Sequence, residues 1–271
     1  MGSVGGMTTA EIRQRPVGEL LRQWREHRRL SQLELSNKAE VSTRHLSFLE
    51  TGRSTPSRDM VLHLADRLEV PLRERNTLLV SAGYAPVYTR TALDSPEMAQ
   101  VREAVRQILT GHDPYPAVVV DRHWNLLDAN SSASFLTAGA AEHLTGPSTN
   151  VLRLALHPEG MAPQIINHGE WRSHVLGQLR RQLESVADPE LTALYEELRD
   201  YPCADAWPDI ELMPAGDNLV VPLRIRRCDV ELSFFSTIAT FGTPLDVTVA
   251  ELVIESFFPA DEVTRTFMTS L

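Results

Sequence analysis

Cysteine is nearly absent from this 271-residue chain: it has two, Cys203 and Cys228. Two are too few for a disulfide framework or a thiolate metal cluster, so the expectation is a reduced, cytoplasmic protein. Lysine is scarcer still, since Lys38 is the single lysine among 26 basic side chains. That bias reads as genome composition rather than chemistry. No apolar run approaches the roughly 18 residues that would span a bilayer, and residues 1–14 lack the apolar centre of a signal peptide. The opening MGSVGG reads as an expression remnant and is set aside. The motifs of common enzymes are also missing. There is no H-E-x-x-H, phosphate-binding loop, G-x-S-x-G or G-x-G-x-x-G, so no catalytic residue and no cofactor is expected. His157, His168 and His174 are spaced by 11 and 6, which does not place them on one helical face, and no metal site is assigned to them.

What is present is uneven. Residues 1–86 carry 13 basic and 10 acidic side chains, while residues 87–271 carry 13 basic and 26 acidic. A mildly basic head on an acidic body can hold a polyanion at one end only. The head reads as five short helices. Val17, Leu20, Leu21, Trp24 and Leu30 fall at helical spacing. Ser31 and Glu34 fit a capping box, Ser42 caps a third helix that stops at Gly52, Ser57 caps a fourth, and Pro71 opens a fifth that ends near Gly83. Leu35, Ala39, Val41, Leu46 and Leu49 fall inward. The joint between the second and third helices is about three residues long, which is a helix-turn-helix arrangement.

The outward face of the third helix carries Thr43, Arg44, Ser47, Phe48 and Thr51. An Arg near the start of an exposed helix can make paired contacts to guanine in a major groove. Phe48 has two readings, packing against the fourth helix or contact with a thymine methyl. One such unit gives few base contacts. Tight, selective binding needs two units on half-sites about one helical turn apart, so a homodimer on a palindromic double-stranded operator is expected.

Residues 85–96 read as a linker, and Ser95-Pro96-Glu97 starts a helix whose stripe is Met98, Val101, Val105 and Ile108. The linker and connecting helix take residues 85–110. The rest, 111–271, reads as an α+β domain: a hairpin (AVVVD, NLLDAN), helices over 150–200, and three strands at 218–226, 229–241 and 246–258. Asn130 can cap the helix after the hairpin, and Trp171, Val175, Leu179 and Leu183 form a stripe. A five-stranded antiparallel sheet with helices over one face would enclose a pocket. Phe234, Phe235, Ile238 and Phe241, with Val249, Leu252 and Ile254, supply apolar area on the sheet. Trp124, Leu126, Phe135, Leu156, Met161 and Trp171 could close the pocket, although each also reads as ordinary core. Polar specificity falls to Arg153, His157, Arg172, His174 or Arg224, whose other reading is a surface ion pair. Arg224 stands out as a mid-strand charge among Val, Leu and Ile.

Segment 17–83 resembles the Xre/Cro-type helix-turn-helix family, on Ser31-Gln32-x-Glu34-Leu35, Ala39-x-Val41-Ser42 and Leu46-Ser47-x-x-Glu50-x-Gly52. The resemblance gives the head, residues 14–84, an all-α five-helix fold. It implies that Gln32 reaches a phosphate or base edge, that Thr43, Arg44 and Phe48 read bases, that Ser47, Thr51 and Arg53 lie near phosphates, and that Ser42 is also part of the DNA-binding set. It also implies an ion pair between Arg25 and Glu50. Glu40 stands where the family commonly has Gly. Residues 114–258 resemble a PAS-like sensor domain, on VVVDRHWNLLDANSSASFL. With LRLALHPEGMAP, EWRSHVL and ELSFFSTIATFGTPLDVTVAELVIESFFP, the whole chain resembles the MmyB-like regulators. That resemblance implies a one-component transcription regulator binding a small apolar or fatty-acyl effector, away from membranes. Two rival readings stay open: an enzyme acting on an acyl or aromatic molecule, and a protein-interaction module whose pocket is filled by its own side chains.

Overall fold

The computed structural model describes residues 15–186, 188–204, 220–227 and 229–271. The expectations for residues 1–14 and for Cys228 lie outside these, as does the start of the strand expected from 218. The chain divides into two units. The first runs to Thr91 and also takes Thr243–Ala250; the second comprises Ala92–Gly242 and Glu251–Leu271.

The first unit is built on five helices: α1 (Val17–His27), α2 (Gln32–Lys38), α3 (Thr43–Glu50), α4 (Arg58–Arg67) and α5 (Leu72–Ser81). Their starts follow the sequence signals. Ser31 accepts from Glu34 N–H while Glu34 reaches back to Ser31 N–H, and Ser42 and Ser57 accept from His45 and Met60. Their ends share one device. In each, the amide two residues past the cap donates to the carbonyl five residues back: Leu30 to Arg25, Val41 to Ser36, Arg53 to Phe48, Val70 to Ala65 and Tyr84 to Leu79. The residue between is left-handed every time. Gly52 and Gly83 fill that position after α3 and α5, but Arg29, Glu40 and Glu69 fill it elsewhere, at φ 54°, 54° and 52°. Leu30, Val41, Val70 and Tyr84 then fold back onto the core of Leu21, Leu35, Leu46, Leu49 and Leu64. Burial of these apolar residues, at about 1.5–3 kcal/mol for a fully covered Leu, holds the strained turns in place. Gly18 lets α1 press on α3, because a Cβ there would stand 2.2 Å from Leu49 O.

Residues 87–91 are pinned rather than extended as a bare linker. Asn76 Oδ1 accepts from Val87 and Tyr88 N–H, and its Nδ2 donates to Tyr88 O. Segment 243–250 joins them. Asp246 Oδ2 accepts from the hydroxyls of Thr89 and Thr91, each at 2.8 Å, and from Thr91 N–H at 3.0 Å. These hydrogen bonds hold the Asp246 carboxyl below its ordinary pKa against the opposing effect of burial. Asp246 Oδ1 also accepts from Thr248 N–H, which starts a helical turn at Val247–Ala250. The strand expected from 246 therefore begins only at Val253.

The second unit opens with α6 (Ala99–Gly111), preceded by a 3-10 turn at Pro96–Met98. Its sheet comprises β1 (Ala117–Val120), β2 (Leu126–Ala129), β3 (Leu223–Arg227), β4 (Val230–Ala239) and β5 (Val253–Pro259), all pairs antiparallel, in the order β2-β1-β5-β4-β3. The fold is thus an α+β PAS-like domain after an all-α head. The larger core lies between the sheet and α7 (Val151–Leu156), α8 (His168–Ser185), α9 (Pro189–Asp200) and α10 (Glu262–Thr269). The sequence leads one to expect helices over one face of the sheet, but helices cover both. Val105 and Leu109 of α6 pack with Ala117, Val119, Leu252 and Ile254 on the other. Ile108, assigned inward by spacing, is 43% exposed, and Leu109 takes its place.

Asn130 does not cap the following turn. It is buried, accepts from Ala117 N–H, and donates to Tyr115 O and Asp113 Oδ1, fastening β2 to the segment before β1. The β1–β2 turn is organised by Asp121, whose Oδ1 accepts from His123 and Asn125 N–H.

A left-handed backbone costs an L-residue about 1–2 kcal/mol, partly offset for glycine by its greater unfolded-state freedom. Glu40→Gly is expected to stabilise the protein by about 0.5–1 kcal/mol in urea unfolding.

Candidate nucleic-acid interface and ligand cavity

Helix α3 is held from behind and exposed in front. Leu46, Leu49 and Glu50 are buried, while Ser42, Thr43, Arg44, Thr51 and Arg53 are exposed. The rear anchor is ionic. Arg25 Nε donates to Glu50 Oε1 at 2.6 Å and its Nη2 to Oε2 at 3.0 Å, while Nη1 donates to Leu30 O at 2.7 Å. Gln32 Nε2 adds a third bond to Glu50 Oε2 at 2.8 Å. Every helix of the helix-turn-helix thus contributes to one network, and Gln32 is committed to it through its amide nitrogen. Thr43 Oγ1 lies 2.9 Å from Ser36 Oγ across the turn.

On the front, Phe48 is only half-buried and has two guanidinium groups against its ring, Arg44 at 5.3 Å and Arg53 at 5.9 Å. The ring's negative face attracts both cations, which spaces them along the helix despite their like charge. Arg53 reaches the ring because the end of α3 turns it back, its N–H bonded to Phe48 O. Thr51 donates its hydroxyl to Ser47 O. This Arg–Phe–Arg cluster, with Ser42, Thr43 and Ser47 beside it, is a cationic, hydrogen-bonding surface one helix wide.

The second unit encloses a cavity of about 340 Å³, within the range of small-molecule sites. Its wall is mostly apolar: Val118, Leu126 and Phe257 from the sheet, with Leu136, Leu152, Leu154, Met161 and Val175 from the helical side. Trp124 and Trp171 line it as expected, with Leu126 and Met161. Trp124 is oriented by a bond from its Nε1 to Gln182 Oε1 at 2.9 Å, whereas Trp171 Nε1 is buried with no partner among the described residues. An orphaned buried donor costs about 1–3 kcal/mol, a cost that a ligand acceptor can remove.

The remaining candidates do not line the cavity. Phe234 is fully buried in the core beside it. Phe235 stacks on Phe258 at 5.3 Å, Ile238 is 47% exposed, and Phe135 packs on Phe267 at 5.7 Å under the Arg227 guanidinium. Leu156 is core, Phe241, Leu252 and Ile254 pack with α6, and Val249 belongs to the first unit. The charged candidates are engaged elsewhere. Arg153 binds Glu197 through paired bonds, Nε to Oε1 and Nη2 to Oε2 at 2.8 Å each. Arg224 pairs with Glu231, its cross-strand diagonal on β4, and Arg172 donates to Arg199 O. His174 stacks on Trp171 at 5.3 Å, and burial lowers its pKa.

Among the described residues, one trio, His143, His157 and Glu159, brings prospective metal-ligand atoms within 4.8 Å of one another. His157 Nδ1, however, accepts from Glu159 N–H at 3.0 Å. That bond puts the imidazole proton on Nε2, so a neutral His157 has no lone pair to offer.

The polar residue that sequence reasoning passed over is Glu255, which lines the cavity from the middle of β5. Period-two alternation gives the signal, since Glu255 shares a sheet face with Phe257. Burial pushes its carboxyl up to about 7, and a hydrogen bond from Ser236 opposes that rise only in part. Asn130, Thr149 and Gln178 are further polar members of the wall.

The model of the MmyB-like transcription regulator ligand binding domain matches residues 101–271, and a helix-turn-helix domain model matches residues 16–78. No curated protein matches the sequence. A solved structure titled "Structure of an RNA-binding Light-Oxygen-Voltage Receptor" is similar at 16% identity, covering 99% of this chain and 70% of that one, with a TM-score of 0.25; at that level it carries no argument.

Folding raises the Glu255 pKa above its ordinary 4.5, so the folded state holds the proton longer. Its contribution therefore turns unfavourable as pH rises from about 4.5 through about 7. Glu255→Gln is expected to match the parent protein near pH 4.5 and to exceed it by about 2–3 kcal/mol at pH 8 in denaturant unfolding.

Proposed function

We propose the following for a chain that belongs to the MmyB-like transcription regulators: its second unit binds a small apolar or acyl effector, and occupancy alters how its first unit holds an operator. A helix-turn-helix unit joined to the ligand-binding domain of this family makes the chain a DNA-binding transcription regulator.

The observation that carries the DNA reading is the two-sided character of α3, with its back fastened by Arg25, Gln32 and Glu50 and its front presenting Arg44, Phe48 and Arg53. Arg44 and Thr43 sit near the helix start, where side chains reach base edges. Phe48 serves Arg44 and Arg53 as a platform and offers its exposed edge to a thymine methyl. Ser42, Ser47 and Arg53 take phosphates, Thr51 does so once its hydroxyl turns from Ser47 O, and Gln32 has the second hydrogen of its Nε2 for such a contact. One head offers too few base contacts for tight binding, so the working form is a homodimer in the cytoplasm on a palindromic site.

The cavity supports the effector reading, because an interaction module would fill that space with its own side chains. Trp124 and Trp171 stand in its wall, and Trp171 keeps a donor for the ligand. Coupling has a covalent route. Thr243–Ala250 belongs to the first unit, and the chain then runs directly into β5, reaching Glu255 five residues after Ala250. Asp246 fixes that segment to Thr89 and Thr91. A coupling of about 1–3 kcal/mol would change operator affinity roughly 5- to 150-fold.

Arg44→Ala is expected to lose about 1–3 kcal/mol of discrimination between the selected operator and random duplex, with folding intact; unchanged discrimination in a binding-site selection would remove Arg44 from the readers. Asp246→Ala tests the coupling. Effector affinity in calorimetry should hold, while the effector's influence on operator binding in gel shifts should fall toward none.

A further inference from the structure

What surrounds Glu255 decides which form of its carboxyl meets a ligand. Its partners directly across the sheet are Val118 on β1 and Ile238 on β4, neither of them charged, and Ser236 on β4 donates its hydroxyl hydrogen. From α8 the cavity receives Trp171, Val175 and Gln178, and from α7 apolar side chains alone. Arg153 and Arg224 are paired with Glu197 and Glu231 outside the lining. His174 stacks on Trp171, and burial lowers its pKa, which leaves it mostly neutral above pH 6.5. Two hydrogen-bond donors therefore stand in this wall. One is the Trp171 indole N–H, buried and without a partner among the described residues. The other is the O–H that Glu255 carries while it holds its proton.

We propose that Trp171 and Glu255 together receive the effector's head group, Trp171 through its N–H and Glu255 as the neutral acid, so that an acyl carboxylate enters the cavity together with one proton. This rests on the effector-binding reading above and names how that site is regulated: its occupancy is set by pH as well as by effector concentration.

The physical case is one of shared hydrogen. Two carboxylates resist ionising side by side in an apolar space, but a single proton satisfies both. The resulting O–H···O⁻ bond is charge-assisted, and bonds of that kind are about twice as strong as neutral ones. The ligand's second oxygen then accepts from Trp171, which removes the cost of an orphaned buried donor. Leu136, Leu152, Met161 and Val175 take the apolar chain. The direction of the pH dependence follows. A ligand carboxyl of ordinary pKa is ionised from pH 6 upward, whereas the Glu255 carboxyl is held up to about 7 by burial. At pH 6 the shared proton is already in place, and at pH 8 it has to be taken from solvent. The protonated share of Glu255 falls from about nine-tenths to about one-tenth between those values, so affinity for a carboxylate falls about tenfold.

Decanoate and decanol, one tail with two heads, serve as probes of the full chain below their aggregation concentrations, with calorimetry as the readout. Decanoate is expected to bind about tenfold more weakly at pH 8 than at pH 6, while decanol changes less than twofold. Calorimetry at pH 8 in two buffers of different ionisation enthalpy should show uptake of about one proton per decanoate, a measurement that needs no variant. Glu255→Gln keeps a donor but has no proton to lose, so its decanoate affinity should be level from pH 6 to pH 8. Trp171→Phe should weaken decanoate severalfold at both pH values and keep the slope. A pH-independent decanoate affinity, a slope that survives Glu255→Gln, binding without proton uptake, or full affinity in Trp171→Phe would overturn the proposal. So would binding of decanol alone, which leaves the broader effector reading standing. Failure of both probes to bind would overturn both.

Discussion

The buried ion pair between Arg25 and Glu50 is the constraint on which the head depends. Both side chains are almost fully withdrawn from water, at 8% and 5% exposure. Such a pair contributes little net stability over an apolar replacement, yet loss of either partner is costly, at about 3–5 kcal/mol. Its value here is geometric. Two parallel bonds allow one orientation of the guanidinium; its further bond to Leu30 O holds the α1–α2 joint, and the bond from Gln32 ties the start of α2 to the carboxylate. The outward face of α3 is therefore aimed by a network that never touches it. Gly18 completes the arrangement by removing the atom that would keep α1 and α3 apart.

The second unit solves a different problem. Its sheet must be apolar on both faces, since α6 covers one and the larger helical layer the other. Packing is nonetheless incomplete on the helical side, where about 340 Å³ is left open. Protein interiors are close-packed, so a void of this size, with an indole N–H that has no partner among the described residues and a carboxyl in its wall, supports the effector reading. The two features reinforce each other. Both groups are held in the free protein at an energetic disadvantage that occupancy can relieve.

Much of this was legible in the chain itself. Serine caps, capping-box spacing and inward leucines gave the head nearly residue by residue, because helix ends are satisfied locally and their chemistry is read within four positions. The tail yielded its strands to period-two patterns and its long helix to the Trp171, Val175, Leu179 stripe. Its errors are instructive. Val247–Ala250 has strand-like composition but follows Asp246, whose bonds to Thr89 and Thr91, over 150 positions away, turn it into a helical start. Asn130 has the position of a cap and is instead a staple between distant carbonyls. Arg224, conspicuous in its strand, needed only Glu231 across the hairpin to be explained.

The sequence by itself determined the five helices of the head and the face that α3 presents, since these rest on short-range spacing, while the PAS-like tail and the ion pair behind α3 were what the family resemblance implied. Only the tertiary structure decided what lines the cavity. Whether a charge is paired or faces a void depends on which side chains the sheet and helices bring together. That juxtaposition drew Arg153 and Arg224 to surface carboxylates and left Glu255 facing the open space.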